Sequence, residues 1–106
     1  MKEYKIYIGL NDKEVHSQIF ATEKYSKVLK SVCRSYHTPF SVATISGGFF
    51  HEDGSYVDEN TLVLSVIDAP EPTVREIAKD LCAFFNQESV MVTCSELEVS
   101  FVSEDI

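Results

Sequence analysis

Three histidines, His16, His37 and His51, are the side chains best suited to proton transfer near neutral pH. Their spacing matches neither an H-x-x-x-H nor an H-E-x-x-H metal pair, and the chain has no G-x-S-x-G elbow, no P-loop and no G-x-G-x-x-G turn. His51-Glu52-Asp53 has the composition of a metal cluster, but it falls on a hairpin tip, where charge is ordinarily just solvated. Gly47-Gly48 alone is a weak phosphate-loop signal. Carboxylates are plentiful, yet none lies in an apolar stretch that would raise its pKa for acid–base work. The local pattern therefore calls for no metal, no cofactor and no catalytic residue, and the expectation is a protein that is not an enzyme. Residues converging from distant parts of the chain keep the enzyme alternative open, and a structural or regulatory homo-oligomeric module without a small ligand is the third reading.

Aromatic and amide side chains are the better candidates for holding a ligand. Phe49-Phe50 and Phe84-Phe85 are adjacent pairs. Neighbours on a strand point to opposite faces, so Phe49 and Phe50 cannot both reach one core. One ring is expected at a subunit contact or as a stacking platform for a planar ligand. Asn86-Gln87 follows Phe84-Phe85 and offers amides that can read a purine edge, or simply cap a helix. Lys24, Lys27, Lys30 and Arg34 lie on one side of an expected helix, as its solvated face or as a contact for an acidic ligand or subunit.

These residues have to be positioned by six elements. Tyr4, Ile6, Ile8 and Leu10 alternate, which predicts a strand over Tyr4–Leu10. Tyr25, Val28, Leu29, Val32, Cys33 and Tyr36 follow helical spacing, predicting a helix from Thr22, as N-cap, to His37 before Pro39. Phe40–Phe50 reads as a strand bulged at Gly47-Gly48, followed by an Asp53-Gly54 hairpin turn. Thr61–Ile67 is apolar on both faces, which suits a central strand. Pro70 and Pro72 break the chain, and Thr73 and Glu76 form a capping box before a stripe of Val74, Ile77, Ala78, Leu81, Phe84 and Phe85. Ser89–Cys94 is the last strand, continued or followed after a bend by Glu98–Val102. The order β-α-β-β-α-β predicts a single α+β domain over residues 1–106, ferredoxin-like, with two helices on one face of a four-stranded antiparallel sheet.

Composition narrows the partners. The chain of 106 residues carries a formal net charge of −8, with +3 over residues 1–37 and −11 over the remainder. That balance argues against duplex DNA and against an anionic membrane. There is neither an apolar run of membrane-spanning length nor a secretory pattern behind Met1, which predicts a cytoplasmic protein. Cys33, Cys82 and Cys94 are odd in number and form no C-x-x-C pair, which suits a reducing compartment. Helices cover one sheet face only, and the strands are apolar on both sides. The open face, or an edge beside Phe101, is therefore expected to be buried by another copy, with Phe50 and Phe101 at the contact.

Two stretches carry a family resemblance. Gly48-Phe49-Phe50-His51-Glu52-Asp53-Gly54, continuing to Glu59, resembles the hairpin of small ferredoxin-like proteins. Phe85-Asn86-Gln87-Glu88-Ser89-Val90, with Val99-Ser100-Phe101, resembles the F-x-Q-E-S-V signature of an uncharacterised bacterial family. Together with Tyr7-Ile8-Gly9-Leu10-Asn11-Asp12-Lys13, the second stretch is also similar to phage Thoeris anti-defence proteins of the first type. That resemblance implies a non-catalytic sponge in the cytoplasm of an infected host. It implies a homo-oligomer that sequesters a nucleotide-derived immune signal, either a cyclic ADP-ribose isomer or a cyclic oligonucleotide. The ligand set expected here is Phe49, Phe50, His51, Phe84, Asn86 and Gln87. Such sponges hold phosphates with arginines near the C-terminal strand. This chain has none after Arg75, so Arg34, Arg75 or the helix-one lysines take that role, from a second subunit if need be.

Overall fold

The alternation that begins the chain produces the strand that organises the molecule. In the computed structural model, which describes residues 1–50 and 52–105, β1 (Lys2–Gly9) lies between two others in a four-stranded antiparallel sheet. The elements follow as α1 (Thr22–Ser35), β2 (Ser41–Phe50), β3 (Tyr56–Ile67), α2 (Glu71–Phe84) and β4 (Met91–Glu96), with strand order β2-β3-β1-β4. This is the expected ferredoxin-like arrangement. Tyr4, Ile6 and Ile8 of β1 and Leu62, Leu64 and Val66 of β3 point to one side. There they meet Tyr25, Leu29, Val32 and Cys33 of α1 and Val74, Ile77, Ala78 and Leu81 of α2 in a single core.

Several local expectations are corrected. Thr22 is the first helical residue, not the cap. Ala21 is the N-cap, and the Thr22 hydroxyl accepts a hydrogen bond from Gln18 Nε2 at 3.0 Å. The Thr73–Glu76 capping box does not form, because α2 begins three residues earlier than that box requires. Pro70, at φ −61°, is its N-cap, and Pro72 fits the first turn, where no amide hydrogen is needed. No bulge occurs at Gly47-Gly48: the register runs unbroken from Ser41 opposite Ser65 to Phe50 opposite Tyr56. Gly48 instead leaves room for the Tyr56 ring, which occupies the space a Cβ would take. β4 starts two residues later than expected, and residues 98–102 run on outside the sheet. Phe84 faces solvent, 65% exposed, while Phe85 turns inward and meets Tyr25 edge-on at 5.1 Å.

β3 is longer than its apolar core suggests. Its first five residues, 56–60, pair with residues 46–50 of β2, while β1 reaches only to Thr61. The β2–β3 hairpin therefore overhangs the end of β1. The sheet face away from the helices is mixed in character. Tyr7, Ile45, Val63 and Met91 lie there beside Glu3, Lys5, Thr93 and Ser65, and Ser65 Oγ donates to Glu3 Oε2 at 2.7 Å. That face is less apolar than the strand sequences led one to expect.

Candidate functional site

The overhanging hairpin forms one wall of a cleft of about 540 Å³ at the end of β1. The segment Asn11, Asp12, Lys13 and His16 forms a second wall. The turn from α2 into β4, Gln87, Glu88 and Ser89, forms the third, and Phe49, Val57 and Glu59 line the hairpin side. A volume of this size suits a nucleoside-scale ligand.

The two loops are stitched together by side chains far apart in sequence. α2 ends in a Schellman motif: Asn86 N–H donates to Ala83 O at 3.2 Å, and Gln87 N–H to Cys82 O at 3.0 Å. Asn86 occupies the left-handed position at φ +50°, which asparagine tolerates better than most residues. From there Asn86 Nδ2 donates to Asp12 Oδ2 at 2.9 Å, and its carbonyl accepts from Lys13 N–H at 3.0 Å. Gln87 Nε2 donates to Asn11 O at 2.6 Å. The amides at 86 and 87 thus act first as struts of the cleft.

Asp12 is the hub of this lattice. Its Oδ1 accepts from the backbone N–H of Glu14 at 2.8 Å and of Val15 at 3.0 Å, folding residues 12–15 into a tight turn. The Asn86 amide foremost, then the Val15 and Glu14 amides, hold its carboxyl below the ordinary range and keep it ionised. His16 follows at φ +62°, its N–H donating to Asp12 O at 2.8 Å.

Glu59 is the second anchored carboxylate. Its Oε2 accepts from Asn11 N–H at 3.0 Å, tying the hairpin to the loop after β1. Gly9 makes this position possible, since a Cβ there would sit 2.5 Å from the Glu59 carboxylate. With Asp12, Glu59 and Glu88 against Lys13, the lining carries more acid than base. Such a cleft favours a ligand with positive charge and an apolar ring for Phe49.

The expected ligand residues are placed as follows. Phe49 and Gln87 line the cleft, and Asn86 braces it. Phe50 points to the opposite side of the hairpin, 71% exposed and edge-on to Tyr56 at 5.3 Å. His51 lies outside the described residues. Phe84 is on the outer surface of α2. Arg34 lies in the last turn of α1. Arg75 is held by Glu71 Oε1 at 2.9 Å, on a smaller groove with Lys79 and Cys82. Neither arginine lines the cleft. Asp12, Glu59, Glu88, Ser89 and His16 were missed as site residues. Among the described residues, no group of three or more His, Cys, Asp or Glu is placed to hold a metal ion, and no helix is long and apolar enough to cross a membrane.

A family described as "Protein of unknown function (DUF3574)" matches residues 3–101. No curated protein matches the chain. Among solved structures, a phage SAM lyase in complex with S-methyl-5'-thioadenosine superposes with a TM-score of 0.70 at 23% identity, over 90% of this chain and 80% of that one. Its apo state gives 0.68 at 24% identity, over 89% and 78%. The periplasmic divalent cation tolerance protein CutA from Archaeoglobus fulgidus gives 0.61 at 14%, over 95% and 88%. At these identities the likeness is one of fold. It nevertheless overturns the expectation of a protein that is not an enzyme. That expectation rested on a scaffold without local catalytic motifs, and the same scaffold, over nine-tenths of this chain, is an enzyme in the phage lyase.

Proposed function

The chain belongs to the DUF3574 family, whose description assigns no activity, so its function has to be read from its own cleft, and we propose that it is a small enzyme acting on a cationic, adenosine-bearing sulfonium of the S-adenosylmethionine class. The observation that carries this reading is the cleft itself: about 540 Å³, lined by Asp12, Glu59 and Glu88, with the Phe49 ring on one wall. Carboxylates attract a sulfonium, and an aromatic face adds cation–π attraction or stacks on an adenine. The fold match to the phage lyase supports the choice of substrate class.

On this reading the reaction is carbon–sulfur cleavage, a choice supported by the name of the phage lyase that shares the fold. The bond's electron pair passes to sulfur, which leaves as a neutral thioether. In a lyase reaction no water is consumed. The carbon that loses sulfur is satisfied within the substrate, either by ring closure, as the substrate's own carboxylate forms a C–O bond to it, or by formation of a C=C bond as the neighbouring carbon gives up a proton to solvent water. Positive charge disperses as the bond breaks. The acidic lining therefore supplies binding more than acceleration, and rate comes from holding the reactive conformer. The hydrogen bonds of Asn86 and Gln87 to the Asp12 segment supply that rigidity.

Titration calorimetry separates the ligand classes. S-adenosylmethionine and its thioether product form the first arm. Cyclic ADP-ribose isomers and cyclic di- and trinucleotides, implied by the resemblance to Thoeris anti-defence proteins, form the anionic arm. The expected result is binding of the sulfonium below about 100 μM, roughly −5.5 kcal/mol, with the anions weaker. Tighter binding of any cyclic nucleotide than of the sulfonium would overturn the substrate class.

A further inference from the structure

β2 is an edge strand of a kind that folded proteins ordinarily guard. Among the described residues it pairs with β3 alone, so from Ser41 to Gly48 one side of the strand makes no sheet hydrogen bonds. Ser41–Phe50 contains no charged residue, no proline and no bulge, the devices that ordinarily keep an edge from adding another strand. Toward the other end of the chain, residues 97–102 read as a strand that pairs with no other strand among the described residues. Leu97, Val99 and Phe101 alternate with Glu98 and Ser100, and Phe101 is 84% exposed. Among the described residues, the bond from Leu97 N–H to Met1 O is the last one tying this tail to the sheet.

The two features cannot satisfy each other within one molecule. The tail leaves from β4, and β2 lies at the opposite edge with β3 and β1 between them, roughly 14 Å away at 4.8 Å per strand. The free side of β2 also faces away from the tail. Charge favours the same pairing between copies. α1 connects β1 to β2 across β3, so it lies over the β2 half of the sheet. It presents Lys27, Lys30 and Arg34, which form no ion pair among the described residues, while the tail carries Glu98, Glu104 and Asp105.

We propose that residues 97–102 of one copy add as a strand to the free edge of β2 in a second copy. The contact joins two different surfaces, so it propagates head to tail and either closes into a ring or extends.

Light scattering of the full chain at micromolar concentration should give a multiple of 12.0 kDa. Successive residues of an added strand point their amides to opposite sides, so only one of Val99→Pro and Ser100→Pro removes a bond to β2. The proline that does so should weaken assembly at least tenfold, with an unchanged circular dichroism spectrum. Ile45→Lys should weaken assembly from the other surface. Mixing these two weakened variants leaves one intact β2 edge and one intact tail, and should restore a pair of about 24 kDa, twice the 12.0 kDa chain. A 12 kDa species for the unmodified chain, assembly unaffected by either proline, or no pair on mixing would each overturn the proposal.

Discussion

Gly9→Ala separates the cleft from the fold. A Cβ at residue 9 falls 2.5 Å from the carboxylate of Glu59. What it meets is the end of a flexible side chain, so Glu59 can swing away while the β1–β3 pairing remains. Two effects on stability oppose each other. Displacing Glu59 removes its hydrogen bond from Asn11 N–H, about 1 kcal/mol at a half-buried site. Replacing glycine reduces the freedom of the unfolded chain, worth about 0.4–1 kcal/mol in the other direction. Urea unfolding should therefore change by less than about 1 kcal/mol. Ligand binding should change more. A carboxylate about 4 Å from a sulfonium contributes about 4 kcal/mol at an effective dielectric of 20 and about 1 kcal/mol in water. In an open cleft about 2 kcal/mol is a fair middle value, or about 30-fold in Kd by calorimetry. Glu59→Gln should reproduce the loss, and adding Gly9→Ala to it should weaken binding little further. Undiminished sulfonium binding by Gly9→Ala, or additive losses in the double variant, would refute the role given to Glu59.

Further outcomes follow from other parts of the structure. Asn86→Gly keeps the left-handed backbone but removes the amide that most depresses the Asp12 carboxyl, so Asp12 should titrate nearer the ordinary 3.8 when followed by carboxyl NMR. In the unmodified protein, the stability linked to Asp12 is fully present above that ordinary value and is lost as pH falls through the lower folded one; in Asn86→Gly the acid loss in urea midpoint should shrink. Leu64→Ala, at a fully buried site in the middle of β3, should destabilise by about 3–5 kcal/mol in the same assay. Burial pushes the Cys33 thiol up to about 11, so an aromatic disulfide reagent at pH 8 should modify exposed Cys94 quickly and Cys33 only on unfolding.

Elements whose apolar residues recur with a clean period were legible from sequence. Tyr4, Ile6 and Ile8 alternate because one face of β1 is buried, and the stripe from Tyr25 to Cys33 repeats because α1 lies on that face. The overhang was not legible by that rule. Residues 56–60 are mostly polar because β1 does not extend beside them, so their strand character comes from pairing with β2. The signal was present in another form: arms flanking the Asp53-Gly54 turn must match in length, so a strand ending at Phe50 implies a partner beginning near residue 56. Recognising it would have brought Glu59 to the cleft. The hydrogen bond from Asn86 to Asp12 spans 74 positions, and no local pattern signals it. Arg34 and Arg75 were singled out for charge alone, which carries no information about which end of a helix faces a cleft.

The most direct test is turnover. S-Adenosylmethionine, in hundredfold excess over the full chain, should be consumed to many equivalents per protein, with S-methyl-5'-thioadenosine accumulating in equal amount by mass spectrometry, and Glu59→Gln should be slower under subsaturating substrate. Full recovery of the sulfonium after prolonged incubation with the folded protein would contradict the account.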